Sequence, residues 1–439
     1  MGLCLDFRAQ GRGQRLAKKE AVNIGFFGLG KLGLPTALAI ESRGHRVIGY
    51  DPAPAVGESL SRRRIPYQEE GVDAALARTR IELALEDEVV SRSELLFIAI
   101  QTPHAPEHEG VTRMEERPCD FDYSFLRGGM TRIADAIERT GRVRIVVVVS
   151  TVLPGTIRRE ILPLLGEHAR LCYNPSFIAM GTVMRNFLSP EFVLLGTNEK
   201  GAASEVAEFY RTIHDAPIHR TSIESAELIK VLYNTFLSTK IAFANTAMEL
   251  CHKIPGATVD EVTAGLSLGT QRILSPRYLS GGMGDGGGCH PRDNIALRHL
   301  AQRLSLSFDW FDAVMRQRER HTEWLASLIE RHASGRGVCI LGKAFKAGSN
   351  LTAGSPAILL RNVLVEHGHE VVMWDPHVDP GEAPPAGPPR CYFVGTRHVE
   401  FRSFPFIKGS VILDPWRYIL PQDGVEVIPI GIGPAVGTA

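Results

Sequence analysis

Gly28, Gly30 and Gly33 stand in G-x-G-x-x-G spacing directly behind the apolar run Asn23–Phe27. Few folds accommodate that arrangement. The first glycine permits a tight turn, the second lets the backbone approach a pyrophosphate, and the third lets a helix pack closely on the strand. Lys31 and Leu32 complete the turn, and the helix that follows aims its N-terminus at the phosphates. Thr36–Arg43 reads as that helix and Arg46–Tyr50 as a second buried strand. Asp51 ends the second strand, 18 residues beyond Gly33. A carboxylate there accepts hydrogen bonds from ribose hydroxyls and repels a 2′-phosphate, so the cofactor expected is NAD, not NADP. A glycine turn of the same spacing also occurs in unrelated α/β domains. The preceding strand, the following helix and the later acid favour the dinucleotide reading.

Further strands are expected at Glu94–Ile100, Arg144–Val149 and Phe192–Leu195, alternating with helical stretches, which implies a parallel sheet with helices on both faces. The character changes after Arg220. Ser222–Lys253 holds neither proline nor glycine and repeats its apolar residues at helical spacing, so it reads as one long helix. Such a helix serves as a spine between domains, as a dimer surface, or as an ordinary core helix, and periodicity does not choose among them. A glycine-dense loop, Ser275–Pro291, leads into helices over Arg292–Leu304 and Phe308–His332. Strand and helix then alternate again, with strands at Gly337–Leu341, Glu370–Trp374 and Val411–Leu413, a helix at Ser355–His367, and a surface loop at Val378–Pro389. The expected divisions of the 439 residues are a loose extension (1–20), a first α/β domain (21–218), a helical domain (219–333) and a second α/β domain (334–439).

Charge and composition exclude several classes. Lys and Arg number 49 and Asp and Glu 49, so no bulk field draws the chain to nucleic acid or to an anionic membrane. Apolar runs such as Ile145–Val149 are strand-sized, far below the roughly 20 residues of a membrane helix. The seven cysteines are odd in number, widely spaced and free of C-x-x-C, which argues against a disulfide framework and a zinc site. Met1–Glu20 has no apolar centre of the secretory kind, and a reducing cytoplasm is the expected compartment.

One cysteine stands apart. Cys289 follows Gly286-Gly287-Gly288 and precedes His290-Pro291-Arg292-Asp293. The glycines leave room for a substrate beside the sulfur. With Asn294–Leu304 helical, the thiol lies just before a helix N-terminus and beside a cation, and both lower a thiol pKa. A thiolate that adds to an aldehyde is a covalent catalyst. The other six cysteines read as inert.

Taken together, "GFFGLGKLGLPTALA", "IAIQTP" with Thr102 and Pro103, "STVLPGT" with Ser150 and Thr151, "ELIKVLYNTFLSTKIAFAN" with Lys230 and Asn234, "GDGGGCHPRD", "LGKAFK" and "GSPAILL" resemble, in order, the motifs of the UDP-glucose/GDP-mannose dehydrogenase family. The resemblance runs from about Asn23 to Ile419. It implies two Rossmann-like doubly wound domains joined by a central helical domain with a long spine helix, and a homodimer or higher homo-oligomer. It also implies oxidation of a nucleotide sugar (UDP-glucose or a related UDP- or TDP-hexose) at C6 to the uronic acid, with two NAD consumed. In that scheme Cys289 forms a thiohemiacetal and then a thioester. Lys230 stabilises the oxyanion, Asn234 bonds the reacting oxygen, and Asp293, assisted by Thr151, handles water. Arg292 meets the cofactor pyrophosphate. Arg272, Tyr278, Gly286, Lys343, Lys346 and Arg417 fall on the substrate side, Arg272 reaching across a dimer. No metal is implied.

Two departures stand out. The family's Pro-Glu-Phe-Leu-x-Glu stretch is Pro175-Ser176-Phe177-Ile178-Ala179-Met180 here, so both acids are replaced. Water activation then falls to Asp293 or to His290, whose imidazole titrates near neutrality. The family's Asp-x-Arg-Glu-Ser-Pro is Leu351-Thr352-Ala353-Gly354-Ser355-Pro356. These changes keep two alternatives in view: a two-electron dehydrogenase that stops at the aldehyde, and a non-catalytic protein that binds NAD and nucleotide sugar.

Overall fold

The computed structural model describes residues 21–103, 120–275, 281–287 and 290–432. It divides into two compact units, 1–238 and 239–439. The first is built on eight strands: β1 Asn23–Phe27, β2 Arg46–Tyr50, β3 Glu82–Leu83, β4 Leu95–Ile98, β5 Arg144–Val148, β6 Ala169–Tyr173, β7 Val193–Gly196 and β8 Ile218–Thr221. Their order is β3-β2-β1-β4-β5-β6-β7-β8. The first six follow the arrangement of a dinucleotide-binding sheet, which puts a ligand crevice beyond the carboxyl ends of β1 and β4. β1 and β2 have the ends expected from the sequence.

The sheet is not parallel throughout, as the strand–helix alternation had implied. β7 pairs with β6 antiparallel, through Tyr173 and Gly196, and β8 runs parallel to β7. The β6–β7 connection carries only the six-residue helix Val183–Leu188, which packs against the helix Gly33–Ser42 and supplies no full crossover.

Helices cover both faces of the sheet, so its strands are apolar on both sides. Ile24, Phe26 and Phe97 join one core with Leu38 and Val47. Phe27, Leu96 and Ile98 join the other with Ile48 and Val148. Phe26 and Phe97 stack with ring centroids 5.7 Å apart. Each such side chain, fully buried, contributes about 1.5–3 kcal/mol.

The expected long helix spans Ile223–Lys253, and the boundary between the units falls inside it. Among its residues Leu232, Phe236, Ile241 and Met248 are exposed. The second unit holds helices His290–Arg303 and Trp310–Ala333 and a five-stranded parallel sheet. Its strands are β9 Val338–Leu341, β10 Val371–Trp374, β11 Cys391–Val394, β12 Val411–Asp414 and β13 Glu426–Pro429, in the order β10-β9-β11-β12-β13. The helix after β9 starts where the sequence indicated: Ser355 caps it by accepting from the Ile358 N–H, and Pro356 takes its first turn. Among the described residues no helix is long and apolar enough to cross a membrane.

Candidate active site

The glycine turn joins β1 to the helix Gly33–Ser42. Gly28 has φ 89°, and a Cβ there would meet the Ala99 carbonyl at 2.6 Å. A Cβ on Gly33 would lie 1.9 Å from the Gly28 oxygen. Gly30 is different: it is exposed, and nothing lies within 4 Å of its Cβ direction. The first and third glycines are therefore needed by the fold, while the second leaves open space for a ligand. Lys31 is exposed on the turn, and Leu32 is half-buried. The helix has no side-chain cap and no acid in its first turn, which leaves its leading N–H groups to phosphate oxygens. Asp51 closes the turn by accepting from the Leu29 N–H at 2.6 Å and from the Ala53 N–H at 2.8 Å. The residues present thus fit a dinucleotide without a 2′-phosphate. Gly33→Ala is expected to lower the melting temperature and abolish NADH binding. Gly30→Ala is expected to leave the melting curve in place and weaken NADH binding about tenfold or more, as a methyl enters the pyrophosphate space. Fluorescence titration with parallel thermal melts checks both.

The second sheet repeats this design with different chemistry. Asp375, at the end of β10, accepts from the N–H groups of Lys343 and Ala344 behind β9, as Asp51 does from Leu29. Here the carboxylate is saturated. It also receives the N–H groups of His377 and Val378 and lies 3.1 Å from His398 Nε2. Ala344 is buried, with Thr396 Oγ1 donating to its carbonyl. This turn has no counterpart to the open glycine at position 30, so the dinucleotide belongs to the first sheet.

Beside the first turn, the ends of β4 and β5 are tied together. Ser150 Oγ donates to the Ile100 carbonyl, and Thr102 Oγ1 donates to the Thr151 carbonyl at 2.7 Å. The Pro103 carbonyl accepts from the Asp122 N–H at 2.6 Å. These bonds hold Thr102, Ser150 and Thr151 together just beyond the carboxyl ends of β4 and β5.

Lys230 is buried, with its ammonium donating to the Ser176 carbonyl at 2.8 Å and lying 5.2 Å from the centre of the Phe177 ring. Burial lowers its pKa. Asn234, one turn on, is exposed. Of the two replaced acids, Ser176 is half-buried beside Lys230, whereas Met180 is 64% exposed. Sequence reasoning passed over Glu227, which is fully buried and accepts from the N–H groups of Gly155 and Ile157. Its signal was available: it is a carboxylate on the same apolar stripe as Ile223, Ala226 and Lys230.

In the second unit the glycine loop is explained by packing. A Cβ on Gly282 would lie 2.4 Å from the Trp416 ring, and one on Gly286 would lie 2.9 Å from Pro356 and 3.1 Å from Phe345. Gly282 and Gly286 thus let the loop lie close against Trp416, Pro356 and Phe345, whereas Gly281 has nothing within 4 Å of its Cβ direction. Arg417 fastens the loop by donating to the Gly281, Pro415 and Ile430 carbonyls. His321 lies 2.9 Å from the Gly282 carbonyl, and Arg318 pairs with Asp285 at 2.9 Å. Lys343 pairs with Asp379 at 2.7 Å, while Lys346 and Arg272 are exposed. Arg417 and Lys343 are thus engaged within the protein. Cys289 and Tyr278 lie outside the described residues, as do the side chains of His290, Arg292 and Asp293; the helix that follows Cys289 in sequence begins at His290, earlier than expected. Cys172, Cys339 and Cys391 are buried, and burial pushes their thiols up to about 12, about 12 and about 11, as inert core cysteines require.

Residues 22–214 match the NAD-binding domain of the UDP-glucose/GDP-mannose dehydrogenase family, and residues 224–319 match its central domain. The chain is 29% identical over 371 residues to the GDP-mannose 6-dehydrogenase of Pseudomonas aeruginosa, covering 82% of each. It is 28% identical over 368 residues to the UDP-glucose 6-dehydrogenase of Rickettsia bellii, covering 81% of each. The crystal structure of a GDP-mannose dehydrogenase ternary complex from P. aeruginosa superposes with a TM-score of 0.81 at 25% identity, over 92% of this chain and 99% of that one. The UDP-glucose dehydrogenase of Pyrobaculum islandicum gives 0.52 at 26% identity, over 95% and 99%. The glycine turn, the tied strand ends and these likenesses agree: the chain belongs to the UDP-glucose/GDP-mannose dehydrogenase family and is an NAD-dependent nucleotide-sugar 6-dehydrogenase.

Proposed function

We propose that the chain carries a nucleoside-diphosphate hexose, UDP-glucose or a related UDP- or TDP-hexose, through both oxidations of C6 to the uronic acid. The observation that supports this most is Lys230, a buried ammonium on the long helix that donates to the Ser176 carbonyl beyond the end of β6. Bound NAD supplies the hydride acceptor, one molecule for each oxidation. Gly28, Gly30, Gly33 and Asp51 hold it, with Thr102, Pro103, Ser150 and Thr151 along its edge and Arg292 on the pyrophosphate.

The first oxidation removes a hydride from C6 and releases the proton of its hydroxyl to water, leaving an aldehyde. The Cys289 thiolate adds to the aldehyde carbon, and Lys230 and Asn234 bond the oxygen that becomes negative. Loss of the second hydride turns this thiohemiacetal into a thioester. Water, deprotonated by Asp293 with Thr151 or by His290, displaces the Cys289 thiolate and releases the carboxylate. Residues 21–218 then act as the NAD domain, 219–333 as the helical domain and 334–439 as the nucleotide-sugar domain, with Arg272, Tyr278, Gly286, Lys343, Lys346 and Arg417 on the substrate side. For Lys343 and Arg417 this role requires exchanging their present partners for phosphate.

The likeness to the P. aeruginosa structure favours a second reading, in which the substrate is GDP-mannose. Incubation with NAD and, in turn, UDP-, TDP-, GDP- and ADP-hexoses separates the two. NADH formation with a UDP- or TDP-hexose supports the first reading, formation with GDP-mannose alone supports the second, and formation with none of them overturns both. The exposed Leu232, Phe236, Ile241 and Met248 support the further proposal that the long helix is a homodimer surface. Light scattering is expected to give at least twice the 48.2 kDa chain mass, and the monomer mass would contradict it.

A further inference from the structure

Glu227 is a costly residue to place where it is. Taking a carboxylate out of water costs several kcal/mol unless charge-assisted hydrogen bonds offset it. Its oxygens accept from the Gly155 N–H at 2.6 Å and from the Ile157 N–H at 2.8 Å. These amides open the helical turn Ile157–Ile161, and Gly155 stands at φ 86°. Burial nevertheless raises the carboxyl pKa, against the pull of these two bonds.

The geometry connects this contact to the site. The segment from Ser150 to Ile157 is tied at one end to β4, by Ser150 to Ile100 and by Thr102 to the Thr151 carbonyl, and at the other end to Glu227. Three residues beyond Glu227, on the same helical face, Lys230 holds the Ser176 carbonyl. One face of one helix therefore grips two loops, those that follow β5 and β6. We propose that Glu227 is a positioning residue which fixes Thr151 relative to Lys230. Glu224, one turn earlier, pairs with Arg158 at 2.6 Å and touches the same short helix, but not the Gly155 turn. It serves as the control.

The inference rests on Thr151 and Lys230 belonging to the reaction site. The full chain is compared with its Glu227→Gln, Glu227→Asp and Glu224→Gln variants. Glutamine keeps the shape but turns an NH2 group toward an N–H donor; aspartate keeps the charge but is one methylene short. Hydrogen exchange at the Gly155 and Ile157 amides is expected to quicken about tenfold in Glu227→Gln. Its kcat is expected to fall about 10–100-fold, with the KM for NAD within about threefold of the original. Glu224→Gln is expected to change neither. Unchanged exchange overturns the clamp, and quickened exchange with kcat within about twofold overturns the positioning role. If Glu227→Gln does not fold, Glu227→Asp is judged by the same two criteria. If the unaltered chain oxidises no nucleotide sugar, the proposed function has failed, and the exchange result alone decides the clamp.

Discussion

Replacing Lys230 with methionine is expected to lower kcat for NAD reduction by about 10²–10³-fold, the usual cost of removing one oxyanion donor. Methionine keeps the apolar stem that lies among the Phe177 contacts and removes the charge. An ammonium has three donors, and one is used on the Ser176 carbonyl, so two remain for the substrate oxygen. Removing a buried charge also removes its desolvation cost, which offsets the lost bond to Ser176, so the melting temperature is expected to move by only a few degrees. Lost activity with retained stability is what separates a catalytic lysine from a structural one. The pH dependence has a definite sign. Burial lowers the Lys230 pKa in the folded chain. Between that lowered value and the unfolded value near 10.4, the unfolded chain binds more protons, so Lys230 makes stability rise with pH across that window. Activity runs the other way, because the ammonium is lost as pH rises through the folded value. The alkaline limb of kcat should therefore begin below the range of an ordinary lysine, and should vanish in Lys230→Met. A variant with kcat within about threefold of the original would remove Lys230 from the reaction.

Replacing Cys289 with serine is expected to reduce uronic acid formation by about 10³-fold or more, a loss typical of removing a nucleophile. The first hydride transfer forms no bond to the sulfur and should persist within a few-fold. The expected record is a first phase of one NADH per active site with near arrest at the aldehyde, or of two NADH per active site with near arrest at a slowly hydrolysed ester. Rapid-mixing absorbance and mass analysis of the intact protein distinguish these states. An unchanged rate of uronic acid formation would contradict covalent catalysis. Equal loss of the first phase would show instead that the substitution damages the pocket.

The sequence was most legible where physics is local. β1 and β2 carry uninterrupted apolar runs bounded by the glycine turn and Asp51, and their ends match. The long helix was equally plain, because 31 residues without proline or glycine leave little alternative. β6 was missed: Ala169–Tyr173 begins with a half-buried alanine and an exposed arginine, and only its last three residues are buried. β13 was missed because Glu426–Pro429 holds no fully buried residue. The reversal at β7 depends on which partner a short strand finds, and residue alternation does not encode that. In the site, the NAD turn could be read residue by residue because each glycine answers a local requirement. The packing of Gly282 and Gly286 was not legible because their neighbours, Trp416, Phe345 and Pro356, are far along the chain. The helical spacing does place Glu227 on the buried stripe of its helix, but not its partners, Gly155 and Ile157, which come from a distant turn.

Ser176 and Met180 stand where carboxylates are usual, and the chain is expected to complete both oxidations without them. The number of NADH formed per sugar distinguishes one oxidation from two. With NAD in excess and a limiting amount of the nucleotide sugar that it oxidises, the reaction is run to completion, NADH is measured by absorbance, and the sugar product is identified by mass. Two NADH per sugar and a uronic acid are the result expected; one NADH per sugar and an accumulated aldehyde would show a two-electron dehydrogenase instead.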